Sequence, residues 1–386
     1  MPTASLNPLV RRARHLVWWC LVFVCACARQ HSTPFMNGRA EAERHYAHGR
    51  YSQAAAAWRE AAEHAEHQDD RVEAIYRAAA AHQRARDTPA ARAAYLEVLR
   101  LAPKGPRAAR AAFELAWLDI EGGDPVRGER ALLELTLRYQ DSALAGRAFT
   151  GLARRYENRG GPSAVLALIE QMLPQLEQPE LAEQVRYAQG RLLRTTGQTE
   201  RARRVFLELA EDFPYPQGAY WEDALWHAAD IERGQGSPRA ALSHLERMLR
   251  EVEPAHFQGS YARTRYAEAQ YRIAEIYRDD LAQPDRARAE FRKVYDEHPT
   301  SLLRDDALWY EALISWSDGK PGVSCNPLRR LVTSLPESRY APCAPLLCDQ
   351  IPASERSCRP YIRRTLEVHG TPAPRIRPGA PTQSSK

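Results

Sequence analysis

Lysine is almost missing from this chain: Lys104, Lys293, Lys320 and Lys386 are the only four among 54 basic residues, and the rest are arginine. Acidic residues interleave with the arginines nearly everywhere, so the concentrated basic face that nucleic-acid binding requires is not indicated. Catalytic signatures are lacking too. There is no P-loop, no dinucleotide glycine fingerprint, no HExxH and no nucleophile elbow. His64, His67 and His82 approach metal-ligand spacing, but a dedicated site needs three or four convergent ligands, and they read as solvated surface histidines. Outside the N-terminus no apolar run nears the roughly 20 residues of a membrane-spanning helix. The expectation is a non-enzymatic chain with no cofactor, no metal site and no nucleic-acid partner.

What is present begins at the N-terminus. Arg11, Arg12 and Arg14 precede an apolar stretch from Leu16 to Ala28, followed by Arg29, Gln30 and His31. A basic segment, a short apolar core and small residues at its end describe a secretory signal. Two processing sites overlap. Ala26-Cys27-Ala28 fits cleavage before Arg29, whereas Val24-Cys25-Ala26-Cys27 resembles a bacterial lipobox that makes Cys27 the lipidated first residue. Without the three leader arginines the chain carries 51 basic against 49 acidic residues. Cys325, Cys343, Cys348 and Cys358 crowd near the C-terminus. Four clustered cysteines in an exported chain point to two disulfides, with three pairings open. A zinc site is disfavoured, since no CxxC pair exists and no histidine lies among them.

Between these ends the chain repeats. Small residues recur at Ala54, Ala91, Gly128, Ala164, Ala202, Ala241, Ala287 and Ser324, at intervals of 37, 37, 36, 38, 39, 46 and 37 residues. Four residues after each anchor stands a large apolar residue: Trp58, Tyr95, Leu132, Leu168, Phe206, Leu245, Phe291 and Leu328. Three further on come Ala61, Val98, Leu135, Gln171, Leu209, Met248, Val294 and Leu331, apolar but for Gln171. Spacings of four and seven put these on one helix face. Five residues before the anchors lie Gly49, Arg86, Gly123, Arg159, Gly197, Gly236, Ala282 and Gly319, where a glycine ends a preceding helix. A second set of mostly small residues lies twelve before the anchors: Ala42, Ala79, Ala116, Leu152, Gly190, Ala229, Glu275 (with Ala274 beside it) and Ala312. Pro103, Pro214, Pro299 and Pro336 close units twelve residues after their anchors, with Pro254 one place off.

Helix, turn, helix, stop, eight times over, resembles the tetratricopeptide repeat family across roughly Phe35 to Pro336. The joints around Tyr139–Ala145, His298–Ser301 and Leu335–Ala341 resemble those of bacterial envelope members, such as the Tol–Pal coordinator and the barrel-assembly lipoprotein. The resemblance implies an all-α, right-handed superhelical solenoid of about eight repeats. It also implies that the residue three before the first small position faces a concave groove. Those residues are Arg39, then Tyr76, Phe113, Phe149, Tyr187, Trp226 and Trp309, with Tyr271 if the seventh repeat shifts by one. Two readings stand: rings packed between repeats, or a stripe that holds a partner peptide. The lysine and asparagine of the family's carboxylate clamp are missing from these positions.

The expected organisation is a signal (1–28), a tether (29–37), the solenoid (38–336), a cysteine-bearing cap (337–360) and a proline-rich tail (361–386). The expected function is a protein-binding scaffold of the bacterial envelope, exported to the periplasm or anchored at the outer membrane. Its partners are other envelope proteins or peptides, with membrane contact only through an N-terminal lipid. A carbohydrate- or peptidoglycan-binding module is the rival reading. Intact-mass measurement on envelope material should give a mature chain starting at Cys27 or Arg29. Recovery of uncleaved Met1 from the cytoplasmic fraction would count against export.

Overall fold

The computed structural model describes residues 31–251 and 264–369. The leader with Cys27, Pro254 and most of the insertion at Ala255–Thr264 lie outside the described residues. Among those described there is no strand, and no helix is long and apolar enough to cross a membrane. The architecture is an all-α helical-repeat solenoid of eight hairpins. It divides into two compact units, Met1–Leu168 with Pro174–Leu181, and Ile169–Leu173 with Ala182–Lys386.

The first unit holds α1 (Thr33–Ala47), α2 (Tyr51–Glu63), α3 (Gln68–Arg84), α4 (Thr88–Leu101), α5 (Ala108–Glu121), α6 (Pro125–Arg138) and most of α7 (Ala143–Met172). The second holds most of α8 (Pro179–Thr195), then α9 (Thr199–Asp212), α10 (Trp221–Gly234), α11 (Pro238–Arg250), α12 (Thr264–Glu275), α13 (Pro284–Glu297), α14 (Arg304–Ser317), α15 (Pro321–Ser334) and α16 (Pro360–His369).

Each hairpin turns where the spacing indicated. Gly49, Gly123, Gly197, Gly236 and Gly319 all have positive φ, and so do Arg86 (φ 61°) and Ala282 (φ 51°). At Gly49 the amide donates to Tyr46 O (3.0 Å) and the next amide to His45 O (2.9 Å). That pair of bonds satisfies the last carbonyls of the helix and reverses the chain. The fourth repeat departs from expectation. Arg159 is helical and the turn is Gly161 (φ 66°), with Pro162 directly after it. Elsewhere a capping residue separates turn from helix, so here the register slips by one. The anchor is Val165, not Ala164, and Ile169 and Met172 replace Leu168 and Gln171, all three at most 2% exposed. The seventh repeat carries a five-residue π-helical turn, Ile276–Asp280, after α12. A π-turn adds a residue, which is why Ala274 rather than Glu275 takes the small position and is fully buried.

The anchors are where the two helices of a hairpin meet. Ala54, Ala91, Ala202, Ala241, Ala287 and Ser324 have no exposed surface, and a Cβ at Gly128 would lie 2.6 Å from the Ala116 carbonyl oxygen of α5. The large residues four positions on fill the space beside them. Tyr95, Leu132, Phe206, Leu245, Phe291 and Leu328 are at most 1% exposed, each such burial contributing about 1.5–3 kcal/mol.

Junctions between hairpins carry buried charge. Asp119 of α5 is paired with Arg92 of α4, Glu129 of α6 with Arg155 of α7 (2.9 Å), and Glu232 of α10 with Arg203 of α9 (3.1 Å). All three junctions use the residue after an anchor and the residue three beyond the next small position, but the polarity reverses at Glu129–Arg155. Serines at three joints, Ser142, Ser301 and Ser338, accept the amide two residues on at 3.1–3.2 Å.

Both chain ends differ from the sequence expectation. The tether read at 29–37 already contains α1, capped by Ser32, because Phe35 is buried at 4% exposure. The tail read from 361 begins as α16, whose Ile362 and Leu366, four apart, are buried against the cap. The cap itself covers Leu308, Trp309, Leu328 and Leu331 of the last hairpin. It is pinned by disulfides Cys325–Cys348 and Cys343–Cys358, with separations of 23 and 15 residues. Closing loops of that size stabilises by about 3 kcal/mol each in the chain-entropy account. Titration of the denatured, unreduced protein should therefore find no thiol among these four. Reduction should lower the melting temperature, and an unchanged melt would show that the bridges do not constrain the cap.

Candidate partner-binding surface

Four of the seven aromatic residues expected along the groove are buried: Tyr76 (9% exposed), Phe113 (8%), Phe149 (3%) and Trp309 (2%). Tyr187, Trp226 and Tyr271 are half-buried. The rings are covered by neighbouring helices, and in three repeats the cover is a clasp. A carboxylate stands three residues before the ring, and an arginine from the following hairpin or cap bridges to it. Arg107 donates Nη2 to Glu73 Oε1 (2.6 Å) and lies 4.6 Å from the Tyr76 centroid. Arg265 is 2.7 Å from Asp223 and 5.3 Å from the Trp226 centroid, with Arg272 at 4.9 Å. Arg339 donates to Asp306 (2.5 Å), while Trp309 is stacked by Tyr340 at 4.8 Å. Each cation–ring contact contributes about 0.5–2 kcal/mol. Burial pushes the Glu73 carboxyl up, but the hydrogen bonds from Arg107 and Arg77 outweigh it and hold the group below its ordinary value.

Tyr187 lacks the clasp. Its ring stacks on Tyr220 at 4.4 Å, and its hydroxyl lies 3.4 Å from His227 Nε2. Arg194 donates to His227 Nδ1 (2.7 Å), which leaves the imidazole proton on Nε2, directed at the Tyr187 oxygen. Burial, and then the Arg194 charge, push the imidazole down to about 4. Tyr271 meets Phe291 at 5.2 Å and Tyr310 at 6.4 Å, both edge-on.

An open cleft that includes Tyr76 lies in the first unit, among α1, α3 and α5, the first helices of three hairpins. Its volume is about 650 Å³, and Trp58, Tyr76 and Tyr95 line it together with Ala47 and Ala80. The polar lining comprises Glu43, Tyr46, Arg77, Gln83, Arg84 and Arg110, with Glu114 beside them. Tyr95 donates its hydroxyl to Gln83 Oε1 (2.8 Å), and Gln83 Nε2 donates to Glu114 (3.4 Å). The volume is that of a small binding site, with aromatic residues at its floor and a largely polar rim. Sequence reasoning reached the cleft only through Tyr76, and it did not foresee the clasps. The clasps have a signal, an acidic residue three before an aromatic one; the cleft has none except the smallness of Ala80.

The histidines singled out earlier do not converge. His82 is near Asp87 (3.5 Å), and His64 gives its carbonyl to Ser32. Among the described residues the group with metal-ligand proximity is Cys325, Cys348 and Asp349, and its two sulfurs form a disulfide. A basic stretch that the interleaving of charges obscured, Arg356, Arg359, Arg363 and Arg364, lies exposed on the cap and α16.

Residues 268–301, covering most of α12 and α13, match the family model of the tetratricopeptide repeat. Repeats of this kind are generally non-catalytic protein-interaction scaffolds. No curated protein matches the chain. Among solved structures it is similar to a tetratricopeptide repeat protein from Parabacteroides merdae (14% identity, 73% of this chain and 99% of that one, TM-score 0.32). It is also similar to the C-terminal part of a repeat-containing protein from Cytophaga hutchinsonii (14%, 69% and 98%, 0.43). A third likeness is to the apo quorum sensor NprR from B. thuringiensis (9%, 84% and 94%, 0.38).

The buried imidazoles set a pH dependence. Burial lowers His244 and His298 as well as His227. At His227 the unfolded chain binds a proton below about 6.5 that the folded chain refuses until about 4, and the other two act in the same direction, so stability falls as pH drops through that window. Melting temperatures should decline from pH 7.5 to 5, and His227→Gln should flatten part of the decline. A slope identical to wild type would remove His227 from the account.

Proposed function

We propose that the protein is a non-enzymatic, protein-binding scaffold of the bacterial cell envelope that assembles or positions partner proteins. The observation that carries this reading is the cleft among α1, α3 and α5, an open amphipathic surface on a rigid stack of helical hairpins. Its floor residues Trp58 and Tyr95 are held by the core from beneath, so a partner meets a preformed surface and little ordering cost opposes binding.

Export is supported by the basic and apolar N-terminus and by two disulfides in the cap, which suit an oxidising compartment. Cys27 is the candidate site for a lipid anchor, and the partners are other envelope proteins or peptides. The carbohydrate reading needs free aromatic faces, and it is weakened where the rings are engaged. Trp226 is covered by two arginines, and Tyr187 and Trp309 are each stacked on a tyrosine.

The test is a comparison of ligands. Immobilised mature protein should retain specific envelope proteins from a detergent extract and should not sediment with purified peptidoglycan. Co-sedimentation with peptidoglycan, with no protein retained, would reverse the assignment.

A further inference from the structure

The chain's charges divide unevenly. Of its 54 basic residues, three lie in the leader, 44 stand against 47 acidic ones in 29–354, and seven stand against two in 355–386. The described part of this basic end is α16 with the residues leading into it. Arg356, Arg359, Arg363 and Arg364 are exposed, and no carboxylate interrupts them. Arg356 reaches back to Glu337 (3.4 Å), whereas the other three make no ion pair among the described side chains.

Packing forces these cations outward. Ile362 and Leu366 are buried against the cap, and the Cys343–Cys358 bridge pins the residue just before Arg359. At about 100° per residue, Arg364 falls opposite the buried face, with Arg363 and the exposed Tyr361 to either side of it. Guanidinium forks fit phosphate oxygens. A tyrosine among them fits the boundary between lipid headgroups and acyl chains. Nucleic acid offers phosphates without that boundary, and the leader read at 1–28 would carry the chain away from it. We infer that this end of the cap docks on a bilayer surface rich in anionic phospholipid. Arg359, Arg363 and Arg364 meet the phosphates, and Tyr361 enters the interface. The contact goes beyond the scaffold reading, and it holds the C-terminal end of the chain to a membrane whether or not Cys27 carries a lipid.

Vesicle sedimentation tests this on the mature chain from Arg29, prepared without a lipid. It should sediment with vesicles of phosphatidylglycerol and phosphatidylcholine, stay in solution with phosphatidylcholine alone, and be released as salt rises. Each arginine near an anionic bilayer strengthens partition about fivefold. The triple variant Arg359→Ser, Arg363→Ser, Arg364→Ser should therefore lose on the order of 100-fold. Removing the same charge from exposed solenoid positions, by Arg71→Ser, Arg100→Ser and Arg239→Ser, should lose less than about fivefold. All six positions are exposed, so both variants should melt with wild type. No binding to the anionic vesicles, or equal losses in the two variants, overturns the proposal. Binding of a DNA duplex as tightly as the vesicles, lost in the first variant, overturns it too, since the surface would then take any polyanion. The scaffold reading fails separately, because vesicle binding needs no partner protein and retention of partners from an extract needs no vesicle.

Discussion

The fold depends on a steric constraint at one position in seven of the eight repeats, the fourth with Val165 excepted: the second helix of the hairpin must approach the first closely enough that only a small side chain fits between them. Gly128 states the limit, since even one added carbon would collide with the Ala116 carbonyl. Once that distance is set, a large residue four places on is needed to fill the diverging gap, and Trp58, Tyr95, Phe206 and Phe291 do so. Every hairpin turn among the described residues uses a positive-φ residue to end the first helix and reverse the chain. Arg86 and Ala282 adopt that conformation despite the steric penalty on a side chain.

Surface and core are less separable here than in a compact domain. Each hairpin offers one face to the next, and aromatic residues on that face become the platform for the neighbour's guanidinium. The same residue type at the same position is therefore a structural ring in Tyr76, under Arg107, and a half-exposed one in Tyr187. Three places earlier stand Glu73, which holds Arg107, in one case and Gln184 in the other. The open cleft is lined by Tyr76 itself and by Ala80 four residues on.

Most of the hairpins were legible because the small, large and proline positions recur at fixed offsets from one another. Errors arose where local geometry broke the offsets. Gly161-Pro162 removes a capping residue and slides one helix, which neither interval arithmetic nor composition reveals, although Gln171 among apolar residues was a sign of it. The boundaries of tether and tail were misjudged because Phe35, Ile362 and Leu366 are too few to make a pattern, yet enough to hold a helix against a preformed core. For the candidate surface, the aromatic stripe was visible as a set of equivalent positions. Its burial was not, because Arg107, Arg265 and Arg339 lie about thirty or more residues downstream of the rings they serve.

The reversed charge at one junction matters most before the fold is complete. A chain of near-identical hairpins can pair the wrong neighbours, and repeat proteins are prone to such misassembly. Docking the hairpin that carries Arg92 against the one that carries Arg155 would bring two arginines together, and docking Glu129 against Glu232 would do the same with carboxylates. A buried charge without its partner destabilises by about 3–5 kcal/mol. The reversed sign thus acts as an address for the third hairpin, so that deleting or duplicating that unit would leave mismatched ends. The place of the third hairpin is in this way tied to its charges, and it cannot be removed or copied as a unit of a uniform array could.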